Sequence, residues 1–519
     1  MQSYALTVDK FLDHAAKWFP ACEVVTAGTH RIGYAHLRER SNRLSGALKA
    51  LGLRFGDRLA TLAWNTQHHL EMYYAVMGAG LVCHTLNPRL TVAHLAAMVN
   101  EAEDRVLAVS ADLSGLAEQL AAQCPSIETI VFFDGDAPTI PNRRTYKYEA
   151  LLSDLGKETC WGDFGEEAAC GLCYTSGTTG APKGVLYTHR SNYLHTLRAL
   201  QADAFALTAA DCVLVAVPMF HANGWGFPFA APAAGAKFVL PGRHSDGAHL
   251  ARLIRHEGVT VAAGVQTVWQ GLLDHLDSAG GDVPTLERIL IGGSTCPDAL
   301  IARMEDRLKA RVQTSWGMTE LSPLGTVAPA RGKARAVASG RPPVGLDLKL
   351  TDASGATLVQ QRNVTGHLKV KGQSVVDRYF KAESDALDGE GYFDTGDLAI
   401  IDEDGNLTIS GRSKDLIKSG GEWINPVEIE TIIGRQPGVG LVAVIGRADP
   451  KWGERPVLIV EPEKNRVLDN QKLLAALRGN VADWWIPDRV IQVAHMPLAP
   501  TGKIDKNRLR AEYAKTQAG

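Results

Sequence analysis

The amino-acid sequence predicts an α/β protein with a large N-terminal domain of stacked α/β subdomains and a small α+β C-terminal domain. Three observations lead to this prediction. Helical and strand-like apolar patterns alternate from residue 33 to residue 310, the pattern changes after about residue 345, and the chain has 519 residues. Alternation of this kind is typical of parallel sheets covered by helices. A single hydrophobic core rarely serves a chain of this length.

The elements of the large domain follow from the spacing of apolar residues. Apolar positions three and four apart predict an amphipathic helix over residues 33–50, which ends at Leu51-Gly52. Strand 58–63, helix 70–77 and strand 81–86 come next. The alternation recurs in strands 213–217, 259–263 and 288–291 and in helices 251–258 and 298–310.

The remainder of the chain has shorter elements. Segments 346–350, 366–372 and 407–410, separated by turns such as Asp404-Gly405, predict antiparallel strands in a small β-barrel-like part of the large domain. Helices 428–434 and 469–482 and strands 441–445 and 457–460 predict the small domain. We therefore expect a large domain at 1–411, a short charged hinge at 412–415 and a small domain at 416–519.

Composition excludes several classes of protein. The net charge of -3 provides no positive field for nucleic acid or an anionic membrane surface. No apolar run reaches the roughly 18–20 residues that span a bilayer, and the first ten residues lack the features of a secretory signal. The eight cysteines are scattered, which indicates reduced thiols. A cytoplasmic enzyme is expected, and the CxxC pair Cys170 and Cys173 is interpreted as part of a buried strand rather than a metal or redox site.

The segment Tyr174–Val185 is the strongest functional signal in the chain. It is rich in hydroxyl and glycine residues and contains one lysine: Thr175, Ser176, Gly177, Thr178, Thr179, Gly180 and Lys183. Glycines let backbone N–H groups approach an anion, and lysine adds a point charge. The segment is not a Walker A loop, because Ala181 and Pro182 separate Gly180 from Lys183. It predicts a phosphate-binding loop.

Four further motifs follow this loop in order: Gln313–Glu320, Tyr392–Asp397, Gly411–Asp415 and Pro500–Lys503. Together with the loop they resemble the adenylate-forming superfamily, which includes acyl-CoA synthetases, nonribosomal peptide adenylation domains and luciferase-like enzymes. The resemblance covers essentially the whole chain and is greatest to medium- and long-chain fatty-acyl-CoA ligases. It implies that a carboxylic acid reacts with ATP to give acyl-AMP and pyrophosphate, and that the thiol of coenzyme A then takes the acyl group. ATP, Mg²⁺ and coenzyme A are thus the expected cofactors.

The resemblance also implies roles in the nucleotide site. The loop residues and Lys183 would bind the β- and γ-phosphates. Gly293 would lie at the adenine site, Trp316 would stack on the adenine, and Gly317 would let the substrate approach the backbone. Thr319 would bind the α-phosphate and Glu320 would hold Mg²⁺. Asp397 and Arg412 would bind the ribose, whereas an Asp394 side chain in this kind of turn often only caps local backbone. Lys503 would be the catalytic lysine of adenylation, carried by the small domain as a mobile lid, with Lys414 at the hinge.

The resemblance implies less about the acid and coenzyme A. Residues His221, Asn223, Trp225, Gln266 and Gly292 would line the acyl pocket, with His221 near the reacting carboxylate. Lys418, Ser419, Gly420, Gly421, Glu422 and Trp423 would line the tunnel for the pantetheine arm. Gln266 stands where a proline is expected, and His367 stands where an acidic residue is usual.

The sequence therefore predicts an AMP-forming acyl-CoA synthetase for an aliphatic acid of medium length. A short alkylthio-propionate or an arylalkanoate stays open as the acid, and an enzyme that loads a carrier protein stays open as an alternative. An alternative from another class of protein is a relative without catalytic activity that only binds nucleotide or acyl chains. The expected partners are a small carboxylic acid and coenzyme A, without nucleic acid, and a homodimer is compatible with the sequence.

Overall fold

The computed structural model describes residues 2–175, 182–293, 296–331, 338–420, 422–463, 466–499 and 503–513. The strands of this part are β1 Glu23–Thr26, β2 His30–Gly33, β3 Arg58–Leu62, β4 Val82–Thr85, β5 Val106–Val109, β6 Thr129–Phe132, β7 Arg144–Lys147, β8 Ala169–Tyr174, β9 Gly184–Thr188, β10 Cys212–Val215, β11 Lys237–Leu240, β12 Val261–Val265, β13 Arg288–Gly292, β14 Arg311–Gly317, β15 Leu324–Val327, β16 Leu346–Thr351, β17 Thr365–Gly372, β18 Phe393–Ile401, β19 Leu407–Arg412, β20 Ile417–Ser419, β21 Glu422–Ile424, β22 Val439–Asp449, β23 Gly453–Pro462 and β24 Arg489–Gln492. The helices are α1 Asp9–Trp18, α2 Tyr34–Ala50, α3 Gln67–Gly78, α4 Val92–Ala102, α5 Ser114–Gln123, α6 Tyr148–Leu155, α7 His189–Ala199, α8 Phe227–Ala234, α9 Gly247–Glu257, α10 Gln266–Ala279, α11 Asp298–Leu308, α12 Pro426–Gly434, α13 Asn470–Ala475 and α14 Lys506–Tyr513.

Two largely parallel sheets form the body of the protein. One has the order β7-β6-β5-β3-β4-β8-β9 and the other the order β15-β14-β13-β12-β10-β11-β1-β2. Antiparallel pairs such as β8–β9 and β14–β15 occur at their edges. One hydrophobic cluster joins the sheets, since it contains Cys83 and Val106 of the first and Val213 and Val261 of the second. Strands buried on both faces explain why the sequence shows short continuous apolar runs.

The parallel topology brings the carboxyl ends of neighbouring strands to one edge of the second sheet. Strands β12, β13 and β14 are parallel neighbours, and they end at Val265, Gly292 and Gly317. Ligands of α/β proteins bind outside the carboxyl ends of such strands. The sequence motifs that follow β13 and β14 therefore meet at this edge.

The strands after residue 345 form two further sheets among the described residues. Strands β16 to β19 form an antiparallel sheet in the segment that the sequence predicts as barrel-like. Strands β20 to β24 form the sheet of the C-terminal part, which α12 and α14 contact. The mixed α/β class, with a large N-terminal and a smaller C-terminal unit, is confirmed.

Most predicted elements are present, but the helix predicted over 469–482 is wrong in length. It ends at Ala475, and Arg478 and Val481 form an isolated bridge around Gly479, whose φ is +74°. Beyond Ala475 the helical hydrogen bonds give way to turns, because Leu477 N donates to Leu474 O and Arg478 N donates to Ala475 O, both at 3.2 Å. The interpretation of the CxxC pair is confirmed, because Cys170 and Cys173 are free, buried thiols of β8. No helix in the described part of the chain is long and apolar enough to cross a membrane.

Candidate active site

Trp316 and Asp397 make the contact that defines one end of the site. Trp316 Nε1 donates a 2.8 Å hydrogen bond to Asp397 Oδ2, although 81 residues separate them. Trp316 lies at the end of β14, where Gly325 leaves room for its ring: a Cβ atom there would lie 2.3 Å from Trp316 Cε3. Asp397 lies in β18, next to the antiparallel strand β19, which carries Arg412. The edge of one sheet thus meets a strand of another.

Asp397 is a buried carboxylate with a cation beside it. Arg412 Nε lies 2.6 Å from Asp397 Oδ1, and the Asp397 side chain is 1% exposed. Burial raises the pKa of Asp397, and the charge of Arg412 and the Trp316 hydrogen bond oppose that rise. A carboxylate has about four acceptor positions, so Asp397 can accept further hydrogen bonds from hydroxyl groups while it keeps both contacts.

The turn after β14 carries Thr319 and Glu320. Residues Thr319–Leu321 form a single turn of 3-10 helix. Two tyrosine hydroxyls hold it: Tyr187 Oη donates to Thr319 O at 2.7 Å, and Tyr379 Oη donates to Glu320 Oε1 at 2.9 Å. Glu320 is buried, and burial raises its pKa. Gly317 is required before this turn, because a Cβ atom there would lie 2.3 Å from Pro323 O.

The base of the predicted phosphate loop lies near this turn. Thr175 N donates to Lys183 O at 2.9 Å, and Lys183 N donates to Thr175 Oγ1 at 3.4 Å, so the two ends of the loop are joined. Lys183 Nζ lies 4.8 Å from the centre of the Tyr379 ring. The other predicted loop residues, Ser176, Gly177, Thr178, Thr179 and Gly180, lie outside the described residues.

Lys503 reaches the same place from the C-terminal part of the chain. Its Cε atom lies 3.4 Å from the position that a Cβ atom would take at Gly293, just after β13. The pKa of Lys503 is lowered to about 8, mainly by burial and also by the charge of Arg412, while the charges of Asp397 and Glu320 oppose the shift. An ion pair of 2.8 Å between Arg435 after α12 and Asp298 of α11 also joins the two parts. The structure therefore has the C-terminal part closed over the edge of the sheet.

The predicted hinge residues lie beside this cluster. Lys414 is in the turn Ser413–Asp415, and burial lowers its pKa. His367 Nδ1 is 3.0 Å from Ser413 Oγ, so this departure from the usual acidic residue contacts the hinge rather than the nucleotide cluster. Asp394 accepts a hydrogen bond from Gly396 N at 2.9 Å, which is a local cap.

The segment predicted to line the acyl pocket has an unusual backbone. All five residues from Ala222 to Gly226 have positive φ, including Asn223 at 53° and Trp225 at 56°. Left-handed backbone costs roughly 1–2 kcal/mol for each residue that is not glycine, and such strain concentrates at functional sites. Gly226 is required, since a Cβ atom there would lie 2.7 Å from His195 Cε1.

The left-handed turn directs Trp225 toward the end of β13. Trp225 Cη2 lies 3.1 Å from the position that a Cβ atom would take at Gly292. His221 precedes the turn, and burial lowers its pKa to about 4, with the charge of Lys503 as a second cause. Asn223 is buried, with its Oδ1 atom 3.6 Å from Cys173 Sγ of β8. Gln266 is the first residue of α10.

The predicted coenzyme A residues lie on the hairpin of β20 and β21. Ser419 is buried and 3.3 Å from Arg455 Nη1, and Gly420 N donates to Trp452 O at 2.8 Å. Trp423 is 53% exposed; Lys418 and Glu422 are exposed too, and Lys418 Nζ lies 5.4 Å from the centre of the Trp423 ring. Gly421 lies outside the described residues. The hairpin is next to the turn that joins β22 and β23, and Lys503 follows β24 in the chain.

Sequence reasoning missed the two tyrosines that hold the Thr319–Leu321 turn. Tyr187 lies in β9 and Tyr379 precedes β18, and neither belongs to the motifs that the sequence analysis identified. The described ranges contain no group of three or more His, Cys, Asp or Glu side chains that could hold a metal. A single carboxylate such as Glu320 still fits Mg²⁺, because this ion is commonly held by one or two carboxylates together with phosphate oxygens and water.

Comparison with known proteins adds the following. The profile described as AMP-binding enzyme matches residues 12–380, and the profile described as AMP-binding enzyme C-terminal domain matches residues 428–503. A 3-methylmercaptopropionyl-CoA ligase of Ruegeria lacuscaerulensis is 40% identical over 100% of this chain and 99% of that protein. A medium-chain-fatty-acid–CoA ligase of Ectopseudomonas oleovorans is 40% identical over 99% of this chain and 97% of that protein.

A solved structure shows the same fold. The crystal structure of the anthranilate CoA ligase AuaEII in complex with anthranoyl-AMP superposes with a TM-score of 0.90 at 22% identity, and the match covers 98% of each chain.

Proposed function

This chain belongs to the family of AMP-binding enzymes, and from that premise we propose that it joins an aliphatic carboxylic acid of medium length to coenzyme A. The predicted class, an AMP-forming acid–thiol ligase that uses ATP, Mg²⁺ and coenzyme A, is confirmed by the family and by the curated ligases that align with the whole chain. The observation that carries the proposal is the convergence of Trp316, Glu320, Asp397, Arg412 and Lys503 from separate parts of the sequence.

We propose that this cluster binds ATP along its length. Trp316 and Gly293 lie at the adenine end, and Asp397 with Arg412 accepts and donates hydrogen bonds at the ribose. Thr319, Thr175 and Lys183 lie toward the phosphates, together with Ser176–Gly180 of the loop. Positioning and preorganised charge supply most of the rate enhancement in phosphoryl and acyl-phosphate chemistry. Two cations of the cluster, Arg412 and Lys503, stand close to buried carboxylates.

Glu320 is our candidate ligand for Mg²⁺. When bound, the ion would neutralise charge on phosphate oxygens. The Tyr379 hydroxyl fixes the carboxylate, and the Coulomb effects of Arg412 and Lys183 favour its charged form against the effect of burial.

Lys503 is our candidate catalytic residue for adenylation. A lysine on the small domain can place its charge between the acid and the α-phosphate only when that domain is closed, as it is here. The thiol of coenzyme A must then reach the acyl group from the same side, so we propose that the small domain, 416–519, rotates about the hinge 412–415 relative to 1–411. Rotation would replace Lys503 by the hairpin of Ser419 and Trp423.

His221 takes part as a neutral imidazole in this proposal. A pKa of about 4 keeps it uncharged at neutral pH. It can therefore orient the acid by a hydrogen bond without competing with Lys503 for the negative charge.

The acyl pocket gives two candidates for the acid. Gly292 adds no side chain at the end of β13, which favours a medium-length chain, and His221, Asn223 and Gln266 would complete the walls. The Trp225 ring fills the space against Gly292, and this observation favours a short acid such as an alkylthio-propionate as the second candidate. Relatives with each kind of substrate in their names share 40% identity with this chain.

A release assay distinguishes these possibilities. We would measure the CoA-dependent release of AMP with aliphatic acids of about two to sixteen carbons, a range that brackets pockets for drug-sized ligands. Thioether and aryl analogues would be measured in the same assay. A maximum at medium-length acids supports the first candidate, and a maximum at short thioether acids supports the second. Acid-dependent exchange of pyrophosphate into ATP without CoA-dependent release of AMP would instead indicate a carrier-loading enzyme, and no exchange with any acid would indicate a silent relative.

Two further expectations, on the cellular compartment and on the oligomeric state, belong with this proposal. The eight free cysteines support a reducing compartment such as the cytoplasm. A homodimer would be tested by light scattering of the purified chain.

A further inference from the structure

Tyr379 touches two groups of the candidate site at once. Its hydroxyl donates a 2.9 Å hydrogen bond to Glu320 Oε1. Its ring lies 4.8 Å below Lys183 Nζ. The first contact acts on the candidate metal ligand, and the second acts on the lysine at the end of the phosphate loop.

The backbone around Tyr379 is bonded to the same two segments. Val376 N donates to Glu320 O at 2.8 Å, and Phe380 N donates to Gly184 O at 2.8 Å. Gly184 is the neighbour of Lys183, and it packs tightly on this segment, since a Cβ atom there would lie 2.9 Å from Phe380 Cβ. The segment 376–380 is therefore fixed at one end to the Glu320 turn and at the other to the end of the loop.

We propose that Tyr379 is a positioning residue that sets the separation between Glu320 and Lys183, so that the metal carboxylate and the loop cation act on one triphosphate. This inference rests on the proposed function, because it assigns the metal to Glu320 and phosphate to Lys183. It goes beyond that function by naming a residue whose hydroxyl and ring have separate tasks.

The two contacts have different physical effects. Glu320 is buried, so without the hydroxyl its Oε1 atom loses a donor, and its rotamer is then less well defined. Lys183 is exposed and has a flexible stem, so the ring reduces the number of orientations of its ammonium group through a cation–π contact. The hydroxyl should therefore control the Mg²⁺ concentration that ATP binding requires, and the ring should control the affinity for the nucleotide.

The test uses Tyr379→Phe, which removes only the hydroxyl, and Tyr379→Leu, which removes both contacts. Tyr392 provides a matched control, because its hydroxyl donates to the Asp347 carboxylate and Lys349 Nζ lies 4.0 Å from its ring centre. Tyr392→Phe and Tyr392→Leu thus remove the same pair of contacts elsewhere. The measurement is calorimetric binding of ATP to the full-length chain over a series of Mg²⁺ concentrations without any acid, with thermal melting as a check of folding.

For Tyr379→Phe we expect the Mg²⁺ concentration at half-saturation to rise about three- to tenfold, while ATP affinity at saturating Mg²⁺ changes less than about twofold. For Tyr379→Leu we expect the same rise together with about two- to fivefold weaker ATP binding. The Tyr392 variants should change neither quantity. In a Glu320→Gln background, Tyr379→Phe should have no further effect on the Mg²⁺ requirement, because the two changes remove one interaction.

An unchanged Mg²⁺ requirement in a folded Tyr379→Phe variant overturns the inference, and so does an equal change in Tyr392→Phe. If Tyr379→Leu does not fold, the Tyr379→Phe titration still decides. Failure of the proposed function has a different signature: the wild-type chain then shows no acid-dependent pyrophosphate exchange with any acid, while the binding titrations still report on Tyr379.

Discussion

Replacing Lys503 by alanine should separate the two half-reactions of this enzyme. Lys503 lies beside Gly293 in the closed structure, with its Cε atom 3.4 Å from the Cβ position of that residue. Its charge also interacts with Arg412, Asp397 and Glu320. In the proposed mechanism, adenylation uses this closed arrangement, whereas thioester formation requires the small domain to have turned away. The variant should therefore lose adenylation and keep transfer to coenzyme A.

The size of the loss follows from the charge and the distance. Two unit charges about 4 Å apart interact by about 4 kcal/mol at an effective dielectric constant of about 20. The Lys503 ammonium would stand at about this distance from the negative charge that moves between acid and α-phosphate. A loss of about 4 kcal/mol of transition-state stabilisation corresponds to about a thousandfold in rate.

The assay measures each half-reaction separately. Acid-dependent exchange of labelled pyrophosphate into ATP reports adenylation, and acyl-CoA formed from a supplied acyl-adenylate reports transfer. Lys472→Ala is the matched control, because Lys472 is an exposed lysine of α13 on the same domain. We expect exchange to fall about a thousandfold in Lys503→Ala, while transfer stays within about twofold of wild type and the control is unchanged. Equal losses in both half-reactions of a folded Lys503→Ala variant would refute this reasoning.

The other predictions concern pH, the acyl pocket and the contact between the two parts of the chain. A pKa of about 8 means that Lys503 of the free enzyme loses its charge as pH rises through that value; kcat/KM for ATP should therefore fall above about pH 8, and Lys503→Arg should move the fall to higher pH because arginine keeps its charge. Trp225→Ala should raise kcat/KM about tenfold for acids two carbons longer than the best wild-type substrate, since each buried CH₂ contributes about 0.8 kcal/mol, and an unchanged substrate profile would contradict the placement of the ring. Arg435→Ala should slow adenylation less than about fivefold, because its pair with Asp298 is exposed and such pairs contribute about 0–1 kcal/mol; the difference from wild type should vanish at high salt, and a change in transfer of the same size would argue against a role in closure.

The local spacing of apolar residues predicted the helices and strands that bury one face along their length. The helix expected over 33–50 occurs as Tyr34–Ala50, because its apolar positions recur with the helical period and glycine ends it. The helix expected over 469–482 stops at Ala475. The chain then continues in turns that include the left-handed Gly479, and the spacing of apolar residues does not predict these turns.

Tertiary packing overrides local preference most clearly in the turn from Ala222 to Gly226. Alanine and tryptophan rarely adopt positive φ, so local preference does not predict a run of five left-handed residues that contains Ala222 and Trp225. The contacts of Gly226 with His195 and of Asn223 with Cys173 hold the turn in place. These neighbours lie in other parts of the chain, and the sequence of the turn does not contain them.

The sequence by itself determined the family and the class of reaction and singled out the motifs proposed to bind the nucleotide, since these depend on residue types in a fixed order. Only the tertiary structure decided which of those residues touch: Trp316 with Asp397, Lys503 beside Gly293, Trp225 against Gly292 and Tyr379 between Glu320 and Lys183. The physical reason is that a hydrogen bond or an ion pair acts over a few ångströms. Residues far apart in sequence reach that range only after the sheets and the small domain have packed together.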